Sequence, residues 1–119
     1  MAVRLEIGWR PELPDAEGEA LRRKALEYCG LTLDRVRVLR LLMLDMDLAP
    51  AELEAVRTEV FTNPVTQVSG YSPLARDFDW ALWVGFKPGV RDNAGATARE
   101  AIEAFLGRSL PADAAVFTS

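Results

Sequence analysis

An eleven-residue pattern occurs twice in the chain, in register and without a gap. Gly8-Trp9-Arg10-Pro11-Glu12-Leu13-Pro14-Asp15-Ala16-Glu17-Gly18 returns as Gly85-Phe86-Lys87-Pro88-Gly89-Val90-Arg91-Asp92-Asn93-Ala94-Gly95. The offset is 77 residues from Gly8 to Gly85 and again from Gly18 to Gly95. The flanks keep the same spacing. Val3, Leu5 and Ile7 align with Trp80, Leu82 and Val84, and Leu21, Arg22, Ala25, Tyr28 and Gly30 with Ala98, Arg99, Ile102, Phe105 and Gly107. A match that keeps polarity position by position points to duplication, and a fold for this chain has to accommodate two similar units.

Each copy reads as strand, proline turn, helix. Val3, Leu5, Ile7 and Trp9 alternate with Arg4, Glu6, Gly8 and Arg10, the period of a half-buried strand. Pro11 and Pro88 remove a ladder donor and end it. Asp15 and Asp92 stand where a helix N-cap belongs, with Gly18 and Gly95 three residues on. Leu21, Ala25, Tyr28 and Cys29 follow at helical spacing, and Ala98, Ile102, Phe105 and Leu106 repeat the stripe. Gly30 and Gly107 suit left-handed C-terminal caps.

Between the copies, Asp34 to Leu48 reads as a long strand that is apolar on both faces. Val36, Val38, Leu42, Leu44 and Met46 share one face, and Leu39, Leu41 and Met43 the other, with the alternation broken near Arg40. One helix layer covers one side only, so the second side calls for another sheet, from the other copy or another chain. Pro50 opens a second helix with the stripe Leu53, Val56, Val60 and Phe61, and Asn63-Pro64 ends it. Val65 to Val68 reads as a third strand and Ser69-Gly70 as a turn. Asp79 to Phe86 is the strand of the second copy, with Trp83 on the face away from the helix. Ala114 to Thr118 begins a further strand. The expected organisation is a first repeat over 1–70, a linker over 71–77 and an incomplete second repeat over 78–119. It is expected to belong to a longer polypeptide or to be completed by another chain.

The 119 residues contain no histidine and one cysteine. Without histidine the commonest general base and metal ligand is missing, and Cys29 has no imidazole to activate it. Its repeat partner is Leu106, so a small buried hydrophobe is expected there. The formal net charge of −4 and the lack of a basic cluster oppose nucleic-acid binding, including a stacking platform built from Trp9, Trp83 and Phe86. No apolar run reaches the length of a membrane span, and the start of the chain lacks the layout of a signal peptide, which makes the cytoplasm the expected location. No phosphate-loop motif is present. Asp45 and Asp47 read as a charged strand end rather than a cation site. The helix start after Asp92 has free N–H groups for an anion, but the aspartate competes for them.

These motifs resemble the PurS family, the small subunit of phosphoribosylformylglycinamidine synthase. Lys87-Pro88-Gly89-Val90, Asp92 and Gly95 fit the family's opening pattern most closely. The first copy departs from it, with Glu12 in place of glycine and Pro14 ahead of Asp15. Asn63-Pro64-Val65-Thr66-Gln67 and the long strand over Arg35 to Leu48 also resemble that family, and two copies in tandem look like the N-terminal region of its single-chain synthetase, PurL.

The resemblance implies an α+β fold: two PurS-like βαβ(αβ) repeats, antiparallel sheets packed by helices, and a pseudo-twofold dimer mimic with a truncated second repeat. It implies a non-catalytic assembly domain for an enzyme that converts formylglycinamide ribonucleotide to formylglycinamidine ribonucleotide with ATP and glutamine. Such a domain docks the synthetase and glutaminase parts and helps enclose the ammonia path. ATP and magnesium belong to the parent enzyme, with no cofactor, metal or catalytic residue in this chain. Interface candidates are Trp9, Arg10, Leu39, Leu41, Met43, Trp83, Phe86 and Lys87, with self-association through sheets also open. The turn and cap residues are Pro11, Asp15, Gly18, Pro88, Gly89, Asp92 and Gly95. The alternative is a ferredoxin-like regulatory module binding a small anion at the helix starts through Arg10 or Lys87.

Overall fold

The computed structural model describes residues 2–75, 77–87 and 90–119. Pro88 and Gly89, expected in the second copy's turn, lie outside the described residues. The chain folds as a mixed α/β structure with a four-stranded antiparallel sheet. Its strands are β1 (Ala2–Trp9), β2 (Arg40–Asp45), β3 (Gln67–Gly70) and β4 (Ala115–Thr118), in the order β3-β1-β2-β4. The helices are α1 (Ala16–Cys29), α2 (Pro50–Ala55) and α3 (Asn93–Leu106), and α2 runs on into a π-helical turn over Val56–Phe61.

Register decides which face is buried. Leu5 lies opposite Leu42, and Val3 opposite Leu44, which in turn lies opposite Val116. These residues point to the side covered by α3 and the α2 segment. Leu5, Leu44, Val56 and Ile102 are fully buried at its centre, with Ile7, Leu42, Met46, Ala98 and Leu110 around them. Burying each large side chain contributes about 1.5–3 kcal/mol.

The two aspartate caps are built alike. Asp15 Oδ1 accepts from Gly18 N at 2.8 Å, and its Oδ2 from Val38 N at 2.8 Å. Asp92 Oδ1 accepts from Gly95 N at 2.8 Å, and its Oδ2 from Thr118 N at 2.6 Å. Each carboxylate therefore ties a helix start to a neighbouring extended segment. The glycines are needed for that closeness: a Cβ on Gly18 would overlap the Val36 carbonyl oxygen, and one on Gly95 the Val116 carbonyl oxygen. Both helices end on left-handed glycines, Gly30 and Gly107.

The two helices then part company. α3 packs on the sheet, whereas α1 has no comparable packing against any strand. Leu21, Leu26 and Tyr28 are exposed, and so is Cys29, against the expectation of a buried hydrophobe. Among the described residues no strand packs beneath the helix to the extent seen for α3, and its stripe stays in water. The radius of gyration is correspondingly large, 16.1 Å against about 13.5 Å for a compact domain of this length.

Three strand expectations need correction. The long strand forms a ladder only over Arg40–Asp45; residues 34–39 have no strand partner among the described residues. The third strand is Gln67–Gly70 rather than Val65 to Val68, and Ser69-Gly70 belongs to it instead of forming a turn. Asn63 is the cause: its Oδ1 accepts from Val65 N, and its carbonyl accepts from Gln67 N, which holds Val65 out of the ladder. Residues 79–86 form no ladder among the described residues and stand open to solvent.

Two predictions follow from this asymmetry between the helices. Ile102→Ala should lower the unfolding free energy by about 2–5 kcal/mol in urea titrations. Leu21→Ala, on the exposed helix, should change it by less than about 0.5 kcal/mol. Burial pushes the Asp92 carboxyl up, but bonds from Thr118 and Gly95 outweigh it and hold the group below the usual range. Its contribution is then complete above the unfolded carboxyl value, near 3.9, and is lost as pH falls through the folded value. Asp92→Ala should cost about 1–2 kcal/mol at neutral pH, and the gap from the parent should narrow below about pH 4.

Candidate docking face

The sheet's other face starts from the alternate residues of the same strands. Glu6 lies opposite Leu41, Arg4 opposite Met43, and Met43 opposite Phe117. A second sheet was expected to cover this face. It is crossed instead by the non-ladder chain that follows β3. Glu6 is buried there, with its Oε2 accepting from Leu74 N at 3.1 Å and its Oε1 near Arg4 Nη2 at 3.4 Å. Arg37 Nη1 donates to the Leu74 carbonyl at 3.3 Å. The Arg4 guanidinium sits 5.3 Å from the centre of the Trp83 ring, whose Nε1 donates to Ser119 Oγ at 2.7 Å. A cation over an aromatic face is attracted by the ring quadrupole, so Trp83 has a defined seat while keeping most of its surface in water.

This brings together part of the predicted set. Leu41 is buried, Leu39 and Met43 are half-buried, and Trp83 and Phe86 are exposed, Trp83 being held beside Arg4 and Ser119. Trp9 is at the far end of β1, partly exposed. Around Trp83, the residues Trp80, Leu82 and Val84 are 87%, 95% and 79% exposed, and Phe117 is 54% exposed.

Arg10 and Lys87 do not share a role. Arg10 donates twice to the Pro64 carbonyl, from Nε at 3.2 Å and Nη2 at 2.6 Å, while its own N–H donates to the Thr66 carbonyl. It locks the end of β1 to the Asn-Pro turn. Lys87 is exposed. Each aspartate cap takes one N–H of its own helix start, Gly18 N in one case and Gly95 N in the other. Among the described residues no group of acidic or sulfur ligands could hold a metal ion, and Asp45 is an exposed strand end. Two clefts formed by the described residues are small. One of about 170 Å³ is apolar and lies between Val3, Leu48 and Leu53; another of about 210 Å³ lies between Trp9, Ala16 and Val38. Small-molecule sites are usually 300–1,000 Å³.

A side-chain network ties the end of the second helix to β3. Glu54 pairs with Arg57, and Tyr71 Oη donates to Glu54 Oε2 at 2.7 Å. Arg57 Nη1 reaches Ser69 Oγ at 2.9 Å, and Thr62 Oγ1 lies 2.6 Å from Ser69 Oγ. These bonds hold the π turn against β3. Arg57 holds the Glu54 carboxyl below its usual range, and burial raises the Tyr71 hydroxyl. The only advance signal was the helical spacing of Glu54 and Arg57.

Compared with known protein families, characterised proteins and solved structures, the chain gives no match. No helix among the described residues is long and apolar enough to cross a membrane.

The unlike roles of Arg10 and Lys87 are directly testable. Arg10→Ala should cost about 1 kcal/mol of unfolding free energy, the usual worth of the carbonyl bonds it makes. Lys87→Ala should stay within about 0.5 kcal/mol by the same denaturation measurement.

Proposed function

We propose that the chain is a non-catalytic, PurS-like assembly domain of phosphoribosylformylglycinamidine synthase, working in the cytoplasm. On this reading it docks the synthetase and glutaminase parts of that enzyme and helps enclose the ammonia path between them. The observation that carries the reading is the duplicated aspartate–glycine anchor, Asp15/Gly18 and Asp92/Gly95, set within the strand–proline–helix motif that resembles the family. The antiparallel pairing of β2 with β4 supports two repeats arranged about a pseudo-twofold axis. The exposed apolar face around Trp80 and Trp83 suits docking rather than chemistry. With no histidine in the chain, Cys29 has no imidazole to activate it as a glutaminase nucleophile, and the resemblance assigns the ATP site to the synthetase part.

Mixing the purified chain with the synthetase and glutaminase parts that lack this domain tests the proposal. Glutamine-dependent turnover should appear only with the chain present, and the chain alone should split neither glutamine nor ATP. Equal turnover without it would refute the assembly role.

A further inference from the structure

We infer that the sheet's outer face carries a site for one leucine of an extended peptide, built by Glu6, Arg37, Gly8 and Gly70, and that the chain's own Leu74 occupies it as a displaceable latch. The inference rests on contacts within the chain and not on the purine-synthase reading, so failure of reconstitution leaves it standing.

The seat begins on β1. Glu6 and Gly8 lie on one side of that strand, and Gly70 of β3 stands directly opposite Glu6, so all three share the outer face. Glu6 is a charged side chain with only 4% exposure. A carboxylate taken out of water is costly unless it is bonded, and strand pairing itself requires no acid there. Its Oε2 accepts from Leu74 N at 3.1 Å, whereas the contact of its Oε1 with Arg4 Nη2 is longer, 3.4 Å. Arg37 Nη1 donates to the Leu74 carbonyl at 3.3 Å. Both backbone groups of one residue are thus held by side chains of opposite charge, and hydrogen bonds to charged groups are the stronger kind.

The Leu74 side chain is read as well. Its Cδ2 lies 3.7 Å from where a Cβ on Gly70 would stand, and its Cδ1 lies 3.9 Å from where one on Gly8 would stand. The two glycines leave a shallow notch that Leu74 fills next to Leu39, whose Cδ2 would be 2.6 Å from a Cβ on Gly8. Gly70 does not have a positive φ, so its backbone accepts a side chain. One larger than a methyl group would take the space of the leucine.

What the seat recognises is one N–H, one C=O and one isobutyl group. Ser72 and Pro73, just ahead of the leucine, are exposed. Pro73 fixes its own φ and so lowers the ordering cost of the segment. A hold on a single residue opens separately from the core. The tether through residues 71–73 supplies Leu74 at an effective concentration on the order of millimolar, which an outside peptide has to match. The occupant to which this chemistry commits is an extended segment of a partner protein with leucine after proline. A second copy is a poor donor. Three residues separate β3 from Leu74, a reach of about 13 Å, so exchange between copies would pull β3 off β1.

Leu74→Asp sets a second carboxylate against Glu6 and vacates the seat. A fluorescein-labelled peptide with the sequence of residues 70–75 should bind this variant at least about tenfold more tightly than the parent in anisotropy titrations, because the parent's seat is free for only a fraction of the time. The same peptide with alanine for leucine should not bind. Gly70→Val added to Leu74→Asp should abolish binding. A vacated chain that keeps the parent's circular dichroism but fails to bind millimolar peptide overturns the inference, and so does equal binding of the alanine peptide. The parent supplies an arm that needs no variant. In native-state hydrogen exchange the Leu74 amide should exchange faster than those of Leu5 and Ile7, and millimolar peptide should speed it several-fold while leaving those two unchanged. Exchange of Leu74 only through global unfolding, or at a rate the peptide does not move, overturns the inference even where Leu74→Asp fails to fold. A parent dimer in sedimentation that dissociates on Leu74→Asp would also overturn it, by assigning the seat to a second copy.

Discussion

Everything in this molecule hangs on one apolar sheet face having one helix layer to close it. Leu5, Leu44 and Val116 present that face, and Ile102 and Val56 close it. Removing such side chains from water is the dominant favourable term in folding, and a chain of this size has little to spare. β4 and α3 come from the second copy, while β1, β2 and β3 come from the first. Among the described residues the core therefore joins elements from both ends of the chain.

The aspartate caps turn that sharing into geometry. A cap normally satisfies one free N–H of its helix. Here the second carboxylate oxygen also takes a backbone N–H from an extended segment, Val38 in one case and Thr118 in the other. Each helix is fixed in direction at its first turn. Only α3 then finds a sheet to lie on. α1 has the same anchor and the same left-handed glycine ending, yet it projects its stripe into water. The two helices are thus unequal: α3 has its stripe buried and α1 leaves its own exposed.

Helix limits were legible in the sequence because their signals are local. Asp15, Asp92, Gly30 and Gly107 each act within a turn of their position, and all four serve as expected. Pro50 likewise opens α2. Strands were legible only where a partner existed. The alternation over Trp80, Leu82 and Val84 is as clear as that over Val3, Leu5 and Ile7, but periodicity says which residues share a face and nothing about what pairs with them. Side-chain bonds that re-route the backbone also escaped notice. Asn63 shifts β3 by two residues, and the Glu54–Arg57–Ser69 network shapes a π turn that no local propensity announces. On the sheet's other side, Leu41 and Met43 were legible as candidates from a strand apolar on both faces, and Trp83 from its place away from the helix. Arg10 was grouped with Lys87 by register, although its bonds to Pro64 make it a clamp.

Native-state hydrogen exchange on α1 and α3 measures the central claim most directly, because both helices carry the same caps and differ in the sheet beneath them. Amides of α3 around Ile102 should exchange only through global unfolding, and those of α1 around Ala25 should exchange orders of magnitude faster through local opening. Equal protection of the two helices would contradict the account, since it would mean that α1 already has a covered face.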